Sequence, residues 1–207
     1  NNNKIVIGFN NNYPTGDSNF TKKNPQYKYK EKLPLIIYNG KVLVNDYETL
    51  PIDYAIAYLD GSNNLKFQSK TGSKTVEERK QIFQNIIDSG TKNTFLAHSN
   101  PDYIIKNYEI IKSTKNNGKG VKAIKQYFCQ IDNNNFVLLS GKYDNSKWMW
   151  NIDAQNVLKN IGCKYAIACD SGHSTSTYLK NAGITKITTL TGGSRLNTSL
   201  LYFTELN

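Results

Sequence analysis

Arginine is nearly missing from this chain. Of its 26 basic residues only Arg79 and Arg195 are arginine and the rest are lysine, set against 16 acidic residues for a net charge of +10. Bidentate readout of base edges favours arginine, so specific nucleic-acid recognition is not expected. The positive excess has two readings, and both stay open. One is lysine solvated on every face of an Asn- and Lys-heavy chain, a composition that an AT-rich genome produces. The other is attraction to a polyanion, phosphate-bearing polymers as well as nucleic acid. Histidine is equally scarce, with only His98 and His173, and no two of the cysteines stand at the close Cys-x2–4-Cys spacing of a zinc site. The three cysteines, Cys129, Cys163 and Cys169, cannot all pair within the chain. Cys163 and Cys169 flank an apolar run whose extended length separates them beyond disulfide reach. All three are expected as buried small hydrophobes, an arrangement that argues against a strongly oxidising compartment. Long apolar runs are absent too: nothing approaches the ~18 residues of a membrane span.

What is present is enough for a packed core. The 207 residues include 38% hydrophobic and 12% aromatic residues, 14 of them Tyr, which excludes an intrinsically disordered chain. A domain of this size buries roughly 70% of the surface its unfolded chain exposes, so one domain over 1–207 is expected. The sequence opens Asn1-Asn2-Asn3 and then a strand, with no leader-like run. Processing, or excision from a longer protein, would both produce such an opening.

Turn chemistry divides the chain. Lys4 to Phe9 reads as a strand that stops at Asn10-Asn11-Asn12-Tyr13-Pro14, and the basic, Tyr-rich stretch from Ser18 to Lys32 reads as a surface excursion. Asn39-Gly40 between Leu35–Tyr38 and Lys41–Val44 predicts a hairpin. Asp60-Gly61-Ser62 predicts a second, between Tyr54–Leu59 and Leu65–Gln68. Thr75 reads as an N-cap, with Glu77 and Glu78 in the first turn, Ile82, Phe83, Ile86 and Ile87 inward, and Gly90 ending the helix. A third hairpin joins 123–131 to 136–139 through Asp132-Asn133-Asn134-Asn135. A second helix is predicted over 152–160, with Val157, Leu158 and Ile161 inward and Gly162 as its C-cap. The apolar strand Tyr165–Cys169 follows, and a last strand covers Thr198–Leu206. Hairpins outnumber helices, so the fold class is α+β, with a large, mainly antiparallel or mixed sheet and a few packed helices.

Polar groups of catalytic type gather where strands end. Asn10 and Asn12 follow the first strand, with side chains suited to turns and to sugar hydroxyls. Asp170-Ser171-Gly172-His173-Ser174-Thr175 follows a strand that reads as central. An acid there orients a substrate, ligates an ion or caps a helix, and successive backbone N–H groups can hold an anion. His173 is a proton carrier near neutral pH. Arg195, after Gly192-Gly193-Ser194, brings a guanidinium fork for phosphate or carboxylate. Lys125 lies on a strand flank, and His98 lies in a turn-forming stretch where capping or a surface position is expected.

In their order these pieces resemble the phosphodiester glycosidase family, the uncovering-enzyme-like domains. Such domains run from an Asn-Gly-Gly-Phe-Phe-like loop through an Arg-Thr-Ala-Ile-Gly-like segment. A helix and an apolar strand then lead into Leu-Asp-Gly-Gly-Gly-Ser-Ser, and Gly-x-Arg precedes the final strand. Here the order is Asn10-Asn11-Asn12-Tyr13, Lys125-Gln126-Tyr127-Phe128, the helix over 152–160, the strand to Cys169, Asp170 to Thr175, and Gly193-Ser194-Arg195. Asn10, Asp170, Gly172, Ser174 and Arg195 match. Lys125 stands where the family usually has Arg, Ser171 and His173 replace glycines, and Ser140-Gly141-Lys142 stands where Asp-Gly-Arg is common.

The resemblance implies a hydrolase that breaks the bond between an anomeric carbon and phosphate in a sugar-1-phosphodiester. Its partner is then a phosphate-linked carbohydrate. In that reading Asp170, His173 and Arg195 are catalytic, and Asn10, Asn12, Lys125, Gly172, Ser174 and Thr175 bind substrate. Asp170 orients the sugar, acts as acid/base, or holds a divalent cation, calcium or magnesium. The alternative is a catalytically degenerate module binding a glycan or anionic polymer. The family's usual locations suggest an extracellular, cell-envelope or virion-associated protein.

Overall fold

The computed structural model describes residues 6–10, 35–48, 55–68, 74–97, 103–114, 116–119, 122–123, 125–141, 149–171, 177–180, 188–191 and 200–204. The predicted excursion from Ser18 to Lys32 and the turn at His98 lie outside them. Strands in the first half are β1 (Val6–Asn10), β2 (Leu35–Tyr38), β3 (Lys41–Asn45), β4 (Ala55–Leu59), β5 (Leu65–Gln68) and β6 (Asn93–Ala97), with helix α1 (Val76–Asp88) between β5 and β6. Then come β7 (Ile105–Lys106), β8 (Glu109–Ile110), β9 (Lys122–Ala123), β10 (Lys125–Gln130), β11 (Phe136–Ser140), β12 (Met149–Trp150) and helix α2 (Asn151–Ile161). The chain closes with β13 (Tyr165–Ser171), β14 (Thr177–Lys180), β15 (Thr188–Thr191) and β16 (Leu200–Thr204).

The fold is α+β, and every described strand pair is antiparallel. The strands form a five-stranded sheet (β11-β10-β13-β7-β8), a four-stranded sheet (β15-β14-β1-β16), a three-stranded sheet (β5-β4-β6) and two ribbons. Turn chemistry explains the hairpins. Asn39 and Gly40 both take positive φ, 50° and 78°, as a two-residue turn matched to strand twist requires. Asn supplies five of the six non-glycine residues with positive φ among those described, so the Asn clusters serve turns. In the third hairpin the Asp132 carboxylate accepts from the Asn134 and Asn135 backbone N–H groups. Hydrogen bonds from the Asn135 side chain and these amides hold that carboxyl below the usual carboxylate range. The first strand of the third hairpin starts at Lys125 rather than Ala123, because Ala123 pairs with Met149 of β12 instead.

Period-two alternation builds the layers. On β10 and β13, Tyr127, Cys129, Ala166 and Ala168 face α2 through Ala154 and Leu158. Phe128, Ile167 and Cys169 face the three-stranded sheet through Ala57 and Leu65. The far side of that sheet, at Ile56, meets Leu35, Ile37 and α1 through Phe83 and Ile86. The order is therefore helix, sheet, sheet, helix. Thr75 caps α1 as predicted, its side chain accepting the Glu78 N–H while the Glu78 carboxylate accepts the Thr75 N–H. A cap is worth about 1 kcal/mol, whereas burying a side chain like Phe83 is worth about 1.5–3 kcal/mol. Packing holds the helix and the cap sets where it starts.

Helix α2 corrects the sequence reading. Leu158 is fully buried, but Val157 and Ile161 are 43% exposed, and the other inward positions are Asn151, Ala154 and Gln155. Polar residues turn inward because there is backbone to satisfy: Gln155 Nε2 donates to the carbonyls of Ile104 and Ile111, at 2.7 and 2.8 Å. Gly162 ends the helix in the left-handed conformation, as predicted.

The cysteines give a second correction. Cys129 and Cys163 form a disulfide with Cα atoms 5.8 Å apart, while Cys169 is buried outside it. The exclusion of a Cys163–Cys169 bridge holds. The partner was hidden because it lies across the sheet: Cys129 sits opposite Ala166 on β13, and the turn after α2 folds Cys163 back, with the Lys164 N–H donating to the Gln130 carbonyl at 2.8 Å. Closing a loop across 34 residues is worth about 3–4 kcal/mol on the chain-entropy estimate. Replacing both Cys129 and Cys163 by Ser should lower the unfolding free energy by that amount, read as a fall in the urea midpoint. An unchanged midpoint would rule the bridge out as a stabilising element.

Candidate active site

One end of the four-stranded sheet gathers the segments singled out from sequence. Antiparallel register places Phe9 opposite Thr177, Thr177 opposite Thr191, and Asn10 opposite Leu200. The end of β1, the start of β14, the end of β15 and the start of β16 therefore share one edge. Three strand spacings separate the outermost two, about 14 Å. Asn12 follows β1, Gly172, His173, Ser174 and Thr175 precede β14, and Arg195 falls between β15 and β16. These six residues lie outside the described residues, and what is placed is where their segments attach. Asn10 is the last residue of β1.

Lys125 and Asp170 belong to the five-stranded sheet. Lys125 pairs with Ser171, and Tyr127 pairs with Ala168, so two steps along β10 oppose three along β13. The extra residue is a bulge, with Cys169 and Asp170 inside it. Bulges recur beside active sites because they re-aim a side chain without ending the strand. The strand predicted to stop at Cys169 thus runs on through Asp170 to Ser171.

A buried side-chain chain joins the two sheets. Gln126 is fully buried on β10, and its Nε2 donates to Thr177 Oγ1 on β14 at 2.8 Å. Thr177 Oγ1 in turn donates to Ser140 Oγ on β11 at 2.8 Å, and Ser140 is the cross-strand partner of Gln126. Sequence reading passed over Gln126 and Thr177. No local pattern marked them: Gln126 shares its face of β10 with Phe128 and Gln130, so a single amide there does not stand out. On the opposite face the Tyr127 hydroxyl donates to Asn151 Oδ1 at 3.3 Å. Burial, with the Asp153 charge added, pushes that phenol's pKa well up, so it stays a donor at any working pH.

The other arginine has a structural post. Arg79 is 7% exposed and donates to the carbonyls of Tyr47, Lys74 and Glu48, tying the loop after β3 to α1. That leaves Arg195 as the chain's remaining guanidinium. Among the described residues no group of three or more His, Cys, Asp and Glu is placed to hold a metal ion, and no helix is long and apolar enough to cross a membrane.

No family model matches the chain, and no curated protein matches it. Among solved structures the fold is similar to that of a zebrafish N-acetylglucosamine-1-phosphodiester alpha-N-acetylglucosaminidase catalytic domain, auto-inhibited by its pro-peptide. The TM-score is 0.52 and the identity 15%, over 92% of this chain and 59% of that one. A hypothetical protein from Synechocystis matches at TM-score 0.41 and 15% identity, over 68% of this chain and 24% of that one. The first likeness is one of fold, and this chain spans just under three fifths of the length of that neighbour.

If the strand ends converge as described, Asn10→Cys with Leu200→Cys, in a Cys169→Ser background, should cross-link under mild oxidation. Antiparallel partners fall within disulfide reach. Mass spectrometry without reductant reads the outcome, and a chain that stays open under conditions where it is folded refutes the pairing.

Proposed function

We propose that this chain, acting as one domain, is a hydrolase of sugar-1-phosphodiesters that breaks the bond between the anomeric carbon and the phosphate oxygen. The observation that supports the reading is the shared sheet edge, where Asn10 lies level with the strand ends that flank the His173 and Arg195 segments, and where Thr177 of that edge bonds Gln126, the residue after Lys125. The fold likeness to a phosphodiester glycosidase domain supports it. The substrate's phosphodiester carries one negative charge. Arg195 grips it bidentately and Lys125 neutralises it as a point charge. Asn10 and Asn12 take sugar hydroxyls, and Gly172, Ser174 and Thr175 present backbone and hydroxyl donors around the diester. Water adds to the anomeric carbon and the phosphate monoester leaves with the bonding electrons.

Ordinary glycosidases set two carboxylates about the scissile bond, and here Asp170 is the single nominee. Phosphate is a good leaving group, so electrostatic stabilisation of its growing charge replaces much of the general acid. Asp170 orients the sugar or takes the proton of the attacking water, and His173 supplies a proton. A divalent cation, calcium or magnesium, is held if Asp170 finds further oxygen ligands. No step depends on it. An extracellular, envelope or virion setting suits the disulfide, since such bonds persist in oxidising compartments. A phosphate-linked carbohydrate suits the net charge of +10.

The test is release of free sugar from UDP-N-acetylglucosamine or from the p-nitrophenyl diester of N-acetylglucosamine-1-phosphate, with and without EDTA. The parent should turn over, and Asp170→Asn and Arg195→Ala should each lose about 100-fold or more in kcat. Binding without turnover, in a cooperatively melting parent, would replace the hydrolase with a glycan-binding module.

A further inference from the structure

The residues assigned above are divided between two sheets. Lys125 and Asp170 sit on the five-stranded sheet, while Asn10 ends a strand of the four-stranded sheet. The Arg195 segment also attaches to the four-stranded sheet, between β15 and β16. No backbone ladder joins the two sheets among the described residues. The side-chain chain from Gln126 through Thr177 to Ser140 crosses that seam. Its members are buried or half-buried, and its two bonds measure 2.8 Å each. The Thr177 hydroxyl works twice, as acceptor from Gln126 and donor to Ser140, so removing it breaks both bonds. Gln126 directly follows Lys125, and Thr177 lies opposite Phe9, next to Asn10. The crossing point is thus one residue from a site position on each sheet.

We propose that Gln126 and Thr177 are positioning residues, a buried clamp that holds the Lys125–Asp170 half of the site in register with the Asn10–Arg195 half. The clamp rests on the hydrolase reading for its consequence in catalysis, and on geometry alone for its existence. It touches neither substrate nor reacting atoms. Displacing catalytic groups by about 1 Å costs on the order of 100-fold in rate, so a slackened seam acts mainly on kcat.

The test compares Gln126→Leu, Thr177→Val and Thr177→Ser with the parent. In each, sugar release from UDP-N-acetylglucosamine is measured alongside hydrogen exchange of peptides covering 165–180 and 6–10. Thr177→Val keeps the volume and serves where Gln126→Leu fails to fold. The expected result is a fall of about 100-fold in kcat with KM within a few-fold, for both Gln126→Leu and Thr177→Val. Their double variant should fall no further, and Thr177→Ser, which keeps the hydroxyl, should stay near the parent. Faster exchange should appear in those peptides while peptides of α1 and β4 stay protected. A folded Thr177→Val with parental kcat and parental exchange overturns the clamp. If the parent itself releases no sugar, the hydrolase reading fails and exchange decides alone: selective loosening of 165–180 and 6–10 upholds the clamp, and unchanged exchange removes it.

Discussion

Burial of β13 on both faces is the constraint on which the rest depends. Ala166 and Ala168 pack toward α2, and Ile167 and Cys169 toward the three-stranded sheet. A strand covered on one face can slip if its exposed side tolerates either set, but β13 has no exposed side to lose. A one-residue slip would press the larger Ile167 into the tight space under α2 and leave an alanine-sized gap opposite. Register is therefore firm up to Ala168. The extra residue is inserted only beyond it, where the strand meets Lys125 and approaches the four-stranded sheet. A rigid strand ending in a bulge is a good base for a polar site: packing fixes the approach and the bulge sets the aim.

Around this core the molecule joins its layers with long polar side chains rather than with continuous ladders. On β10, Phe128 lies between Gln126 and Gln130 on the same face. Phe128 enters the core, while each glutamine reaches across to another element. Gln130 accepts the Leu65 N–H and donates to the Asn63 carbonyl, at 2.7 and 2.6 Å, and Gln126 reaches β14. Gln155 does the same for the backbone at Ile104 and Ile111, Arg79 for the loop after β3, and Thr94 for Leu35 and Ile37 on β2. Each of the buried groups among these, Gln126, Gln130, Gln155 and Arg79, would cost about 1–3 kcal/mol if left unpaired. Such bridges are stabilising only in one arrangement, and so they select it.

The likeness to the zebrafish domain and the convergence at the sheet edge speak to different links in the argument. The likeness concerns how strands are arranged, at an identity too low to carry residue roles. The convergence concerns which polar segments that arrangement brings to one place. The phosphodiester site proposed at that edge rests on the two together, and neither alone assigns it.

Local chemistry was legible wherever one residue's backbone preference decides the outcome. Asn39-Gly40, Asp60-Gly61, Thr75 with Glu78, and Gly162 each did what their φ, capping or turn preferences require. The strand pattern and the α+β class follow from those punctuation marks. The order of Asn10, Lys125, Asp170 and Arg195 along the chain was also visible, as a motif sequence. What tertiary structure decided is everything that depends on a partner far away in the chain. Val157 and Ile161 read as inward because apolar residues at helical spacing usually are, yet the backbone carbonyls of Ile104 and Ile111 needed a donor, so Gln155 took the buried face. Cys129 and Cys163 read as lone hydrophobes because their contact is made by strand register and a turn that no local pattern encodes. Gln126 and Thr177 were silent for the same reason: hydrogen-bond satisfaction inside a core is a property of pairs, and a sequence displays its residues one at a time.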